Sequence, residues 1–177
     1  MKLRILAPSA ILAAATVLSA VPALGAIPTV PATRALQYLA GQQLADGSVD
    51  DSLGETADYA LAAKYHGIDP NTLTASSNKS VYDYLITWLT GSATCAAANN
   101  NSRDGNNIGK LVQAVTAGAH DPTNFGGRNL LADLEGPGGT TGGVYNSLTG
   151  TFADCATGGQ NAVYAQASAI LGLEAAK

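Results

Sequence analysis

The chain has 177 residues, a formal net charge of −4, and 12% charged against 46% hydrophobic residues. A weakly acidic chain without clustered Lys and Arg lacks the electrostatic footprint that nucleic acid or an anionic lipid surface requires, so both are excluded as partners. Without its N-terminal leader, about 150 residues remain, the size of one domain with one core.

Lys2 and Arg4 precede an almost unbroken apolar run from Ile5 to Val21, followed by Pro22-Ala23-Leu24-Gly25-Ala26. A basic start, an apolar stretch and small residues at the exit read as a cleavable secretory signal over residues 1–26, leaving 27–177 as the domain. A membrane anchor competes with this reading, but Pro8, Ser9, Thr16 and Ser19 dilute the run. No later segment is long and apolar enough to span a bilayer. The mature chain is therefore expected outside the cytoplasm, secreted or at the cell surface.

Apolar residues then recur at helical spacing, and no segment alternates as a half-buried strand would. A first helix is predicted from Thr33 to Leu44, with Leu36, Leu39, Ala40 and Leu44 on one face and Asp46-Gly47-Ser48 as its stop. A second begins at Ser52-Leu53-Gly54-Glu55, a Ser-x-x-Glu capping box. It buries Leu53, Ala57, Ala60, Leu61 and Tyr65, and ends at Gly67 and Pro70. Val81, Tyr84, Leu85, Trp88 and Leu89 stripe a third helix, and a polar loop runs from Asn99 to Asn107. Ile108, Leu111, Val112 and Val115 stripe a fourth, which ends in Ala119-His120-Asp121-Pro122. That ending matches Gly67-Ile68-Asp69-Pro70 about 50 residues earlier, a period typical of stacked helical units. Leu130, Leu131 and Leu134 mark a fifth helix, Gly136 to Gly143 a glycine-rich turn, and Val163, Ala167, Ile170 and Leu171 the buried stripe of a sixth. The pattern is all-α, three helical hairpins.

Two cysteines, Cys95 and Cys155, in an exported chain favour a structural disulfide over two free thiols. Closing a loop of about 60 residues is worth at most ~4 kcal/mol in the chain-entropy picture. A redox role is disfavoured, because no Cys-x-x-Cys pair is present to activate a thiolate.

Three segments carry a resemblance. Gln42-Gln43-Leu44-Ala45-Asp46-Gly47-Ser48 is similar to a Gln-x-x-x-Gly-x-Trp signature, with Ser48 near the aromatic position. Asp121-Pro122-Thr123-Asn124-Phe125-Gly126-Gly127 with Leu130 and Leu131 resembles a link from an inner to an outer helix. Gly142-Gly143-Val144-Tyr145 and Gln160-Asn161-Ala162-Val163-Tyr164-Ala165-Gln166 look like a glycine turn and the inner helix after it. In order and spacing they resemble the α/α-toroid superfamily of terpene cyclases and protein prenyltransferases, especially its secreted bacterial repeat proteins. The resemblance covers most of the chain after Pro31. It implies inner helices around a cavity and outer helices covering them, with three hairpins making a half-ring. Five to seven pairs close the family's ring. The open faces of this half-ring should then be apolar, which points to self-association or to a truncated gene.

Fold alone does not choose a function, since related rings hold isoprenoids, carry cobalamin or form thioester domains. The Asp-x-Asp-Asp acid of the cyclases is matched only by Ser48-Val49-Asp50-Asp51, where Ser48 replaces the leading Asp. Asp50 and Asp51 are therefore weak catalytic candidates, better explained as charges favourable to a helix N-terminus. The Asp, Cys and His ligands of a prenyltransferase zinc are not assembled, because His66 and His120 fall at helix ends and the cysteines are committed to each other. Cys155 and Gln160 stand too far apart for a thioester. Asn99 to Gly105 resembles a calcium loop, but Leu111 stands where its Glu would. No Gly-x-Ser-x-Gly is present, and two histidines give a Ser-His-Asp triad little material.

Tyr59, Tyr65, Tyr82, Tyr84, Trp88, Tyr145 and Tyr164 could line a cavity, but each reads first as core packing at helical spacing. The residues chosen to line a binding surface are Tyr59, Tyr65, Trp88, Tyr164 and Gln166. The expectation is a non-catalytic repeat module without metal or cofactor, taking a small apolar ligand or a surface partner. The alternative is an isoprenoid-handling enzyme of the cyclase and prenyltransferase group.

Overall fold

The computed structural model describes residues 29–94, 102–136, 144–155 and 162–177. Residues 1–28, with the expected leader, residues 95–101, with Cys95 and the start of the polar loop, residues 137–143 of the glycine-rich turn and residues 156–161 lie outside these. Six α-helices follow in order: α1 (Thr29–Gly41), α2 (Leu53–Tyr65), α3 (Val81–Gly91), α4 (Gly105–Ala117), α5 (Leu130–Glu135) and α6 (Ala162–Ala175). The chain is mostly helical, as expected, but the sequence reading missed its strands. β1 (Ala93–Thr94) pairs in parallel with β2 (Ser102–Arg103), and β3 (Tyr145–Asn146) pairs antiparallel with β4 (Thr151–Phe152). Two residues are too few to show alternation, which is why no period-2 signal marks them.

Helix α4 is the centre of the packing, touching α6 most extensively and then α2. All four predicted stripe residues of α4, Ile108, Leu111, Val112 and Val115, are fully buried. So are Val81, Leu85 and Leu89 of α3, with Tyr84 and Trp88 nearly so. Each buried aliphatic side chain contributes ~1.5–3 kcal/mol from lost water contact. Helix α3 starts where α4 ends, since the Tyr82 hydroxyl donates to the Ala114 carbonyl at 2.9 Å. Helix α1 likewise starts where α2 ends, with Thr33 Oγ1 and His66 Nε2 3.0 Å apart. These two pairs are antiparallel hairpins.

The second members of the hairpins run side by side in one direction. Asp58 of α2 meets Lys110 of α4 at 2.7 Å, and past the far ends Asn71 Nδ2 donates to the Gly118 carbonyl at 2.9 Å. Between α4 and α6 the backbones nearly touch. A Cβ on Gly105 would stand 2.9 Å from the Ala165 carbonyl oxygen, and one on Gly109 would strike the Ser168 carbonyl and come within 2.5 Å of the Ala169 nitrogen. One on Gly172 would lie 2.7 Å from the Gly109 oxygen. Residues advance together along both helices, so α4 and α6 are parallel.

This contact turns α6 the other way from expectation. The predicted buried stripe is exposed, Val163 by 78%, Ile170 by 53% and Leu171 by 56%, with Ala167 on the same face. The face against α4 is Ala165, Ser168, Ala169 and Gly172, because only small residues fit against Gly105 and Gly109. Tyr65, expected in the α2 stripe, is 88% exposed for a simpler reason: it is the last residue of its helix.

Helix ends follow local chemistry. The predicted Ser52–Glu55 box forms no bond from the Ser52 side chain to the backbone; the two side chains bond each other instead. The reciprocal box stands at Ser80 and Asp83, ahead of α3. The matched endings of α2 and α4 have one geometry. Gly67 and Ala119 both have positive φ (79° and 58°), and the next amides, of Ile68 and His120, donate back to Ala63 and Val115. This is a left-handed helix stop, strained at Ala119 because of its Cβ.

Gly109→Ala should lower stability by about 1–3 kcal/mol, the range for overpacking a close contact. Gly41→Ala, at a helix end where a Cβ meets nothing within 4 Å, should not lower it. Urea midpoints of the two variants test the contact.

Candidate functional site

Because α2, α4 and α6 run in parallel, their N-termini gather at one end of the layer, and polar side chains concentrate there. Asp104 is the N-cap of α4 and 6% exposed. Its carboxylate accepts the Asn107 amide at 2.8 Å and, weakly, the Cys155 amide at 3.5 Å. Burial raises its pKa above the usual carboxylate value, against the opposing pull of the backbone bonds. Ser168 Oγ donates to Asn106 Oδ1 at 2.8 Å, tying α6 to the first turn of α4. Asn107 Nδ2 donates to the Ser102 carbonyl at 2.7 Å. Beside β2, Asp133 of α5 takes a bidentate pair from Arg128 (3.0 and 2.8 Å) and an ion pair from Arg103 at 3.7 Å.

The weak catalytic candidates occupy a different kind of place. Asp50 and Asp51 both have positive φ (55° and 51°), and the Ser52 amide donates to the Val49 carbonyl across them at 3.1 Å. Two left-handed residues closed by that bond form a type I′ turn, a geometry Asp tolerates better than most side chains. Both are exposed, and they precede the N-cap, so the acid in the first turn of α2 is Glu55 rather than either of them. Ser48 is fully buried and donates through N–H and Oγ to Asp46, at 3.0 and 2.7 Å. Tyr84, under this turn, has its phenol pushed up to about 12, by burial first and then by Asp51, Asp46 and Glu55.

The five proposed binding residues fall into three groups. Tyr59 and Trp88 belong to the hydrophobic core. Tyr65 and Tyr164 are surface residues, 88% and 65% exposed. Gln166 clamps β4, donating to the Phe152 carbonyl at 2.8 Å and accepting its amide at 2.9 Å. They do not form one lining. Of the histidines, His66 is the C-cap of α2, and His120 bonds Asn71 Oδ1 at 2.8 Å and packs edge-on to Tyr82, 4.3 Å between centroids. Among the described residues, no three His, Cys, Asp or Glu side chains converge to hold a metal ion.

Sequence reasoning missed the buried Asp104, the paired arginines on Asp133 and the glycines behind them. The signal was there as small residues four apart: Gly105 and Gly109 on α4, with Ala165 and Ala169, and Ser168 and Gly172, on α6. Such spacing lets helix backbones approach closely. Compared with protein-family models, curated proteins and solved structures, the chain matches none of them.

The aspartates have opposite linkage signs. Asp69, Asp83 and Asp121 accept hydrogen bonds from Asn71, Ser80 and Thr123, which lower their pKa values. Their contribution is present above the unfolded value near 3.9 and is lost as pH falls through the folded values. Asp104 is raised, so its contribution is complete below about 3.9 and is lost as pH rises through its higher folded value. Asp104→Asn should remove that loss. Urea unfolding at pH 3, 5 and 7 should show the variant gaining on the wild-type chain as pH rises.

Proposed function

We propose that the chain is an exported, non-catalytic interaction module, an α/α-toroid-like array of three hairpins that takes an apolar ligand or a surface partner. The observation that carries this reading is the use to which the aspartates are put. Asp46, Asp69, Asp104 and Asp121 each hold a backbone amide two or three residues on. For Asp83 the partners are the Ser80 amide and hydroxyl behind it, closing the capping box. Acids engaged in turns and caps are fixed by the fold, and Asp104, which burial shifts upward, is likewise committed to capping α4; a catalytic acid needs a pocket that perturbs it toward its task. The order of the hairpins supports the repeat reading, with second helices side by side and first helices leading into them. Export rests on Lys2, Arg4 and the apolar run to Val21.

The test is turnover. With a polyprenyl diphosphate as substrate, the purified chain should form no product, and native mass spectrometry of protein recovered from the medium should reveal an apolar molecule or protein partner. Asp50→Asn and Asp51→Asn should each change stability by less than about 0.5 kcal/mol, since Asn also suits a left-handed turn. A real activity that falls ~100-fold or more in either variant, the scale of general acid catalysis, would instead favour the isoprenoid enzyme.

The Cys95–Cys155 disulfide belongs to the same reading. Thr94, the described residue before Cys95, is paired with Arg103, and the Cys155 amide lies against Asp104, the next residue along. Peptide mapping without reductant should recover the two cysteines in one linked fragment. Alkylation of both thiols in folded protein would refute the link.

A further inference from the structure

Helix α6 carries its large apolar residues on the side away from α4, the helix it packs against most extensively. Val163, Tyr164, Ile170 and Leu171 are 78%, 65%, 53% and 56% exposed, and with exposed Ala167 they lie on one face, opposite Ala165, Ser168, Ala169 and Gly172. Spacings of three and four residues keep such a stripe on one side of a helix. From Ala162 to Leu173 there is no charged residue.

We propose that this face recognises itself, so that two copies of the chain pair through antiparallel α6 helices crossing at Ala167. The stripe places its large apolar residues at positions symmetric about Ala167. In an antiparallel pair Val163 meets Leu171 of the second copy, Tyr164 meets Ile170, and Ala167 meets Ala167. A two-fold contact requires that self-complementarity, because one patch must serve as both surfaces. The smallest residue stands at the crossing point, where backbones come closest, and the large ones stand to either side. The same logic holds α6 on α4 through small residues, here with large flanks. An uncharged stripe offers nothing to a charged partner, and it lacks the row of Lys and Arg with which an amphipathic helix binds an anionic membrane.

The area sets the strength. Four large side chains exposing on the order of 100 Å² each, with Ala167 between them, give roughly 900 Å² for the pair. That is below the ~1,200 Å² of a stable complex, so the dimer is a transient one. This inference rests on the reading of the chain as an interaction module and names its partner as a second copy.

Sedimentation velocity on the purified chain from 1 to 300 μM should show monomer passing to dimer and stopping there. Ala167→Glu places like charges at the two-fold and should weaken the dimer at least 30-fold with an unchanged circular-dichroism melt. Ala167→Cys should cross-link to itself under mild oxidation. Val163→Cys should cross-link to Leu171→Cys in a mixture, and neither should cross-link alone. A monomer at 300 μM, a dimer indifferent to Ala167→Glu, self-cross-linking of Val163→Cys, or growth beyond the dimer would each overturn the proposal. The two readings fail separately. A chain that stays monomeric but turns over no polyprenyl substrate loses the self-pairing alone, and a dimer with turnover keeps the pairing while losing the interaction-module reading.

Discussion

The distance between α4 and α6 decides most of what surrounds it. Two helix backbones come this close only where neither carries large side chains at the crossing, and Gly105 and Gly109 of α4 against Ala165, Ser168, Ala169 and Gly172 of α6 meet that condition. Close packing recovers many small dispersion contacts, though each is worth only ~0.1–0.2 kcal/mol. It also leaves no room on the facing sides. The bulky residues of α6 have nowhere to go but outward, while α4 turns its own large residues to α2, α3 and α5. The buried Asp104 and the Ser168–Asn106 bond then sit at the end of the shared axis, fixing the two helices lengthwise.

Periodicity made the middle of the fold legible. Ile108, Leu111, Val112 and Val115, and the α3 set from Val81 to Leu89, are buried as their spacing predicts, since large aliphatic residues at helical intervals have only one useful face. On α6 the same rule found the correct stripe and the wrong side. Spacing reveals that residues share a face, but which face meets a neighbour depends on the neighbour, and α4 offers α6 a surface of glycine. Tyr65 is exposed because α2 ends at it. The Ser52 cap failed because the tight turn at Asp50 and Asp51 sets the entry to α2, where buried Thr56 accepts the Val49 amide at 2.8 Å.

The candidate site was less legible for a different reason. An aspartate two or three residues from an amide can cap a helix or close a turn in any fold, and that local use is visible in sequence only as composition. Asp46 and Asp121 each take both the amide and the hydroxyl of the residue two places on, Ser48 and Thr123. Such pairs look like a motif and act as a hinge pin. Binding by aromatic side chains depends on exposure, which their spacing in the sequence does not reveal. Exposure divides them: Tyr59 and Trp88 are core, and Tyr164 is surface.

The twin stops at Gly67 and Ala119 show how such a chain can grow. Each leaves its helix through a left-handed residue and reaches a Pro three residues later, so the peptide from one stop to the next is a cassette with matched ends. Duplicating that cassette in the gene would add a hairpin in register, with its ends already shaped to join. Ala119 holds with a Cβ the conformation that Gly67 adopts freely. Backbone shape, rather than residue identity, is what such a duplication would have to preserve.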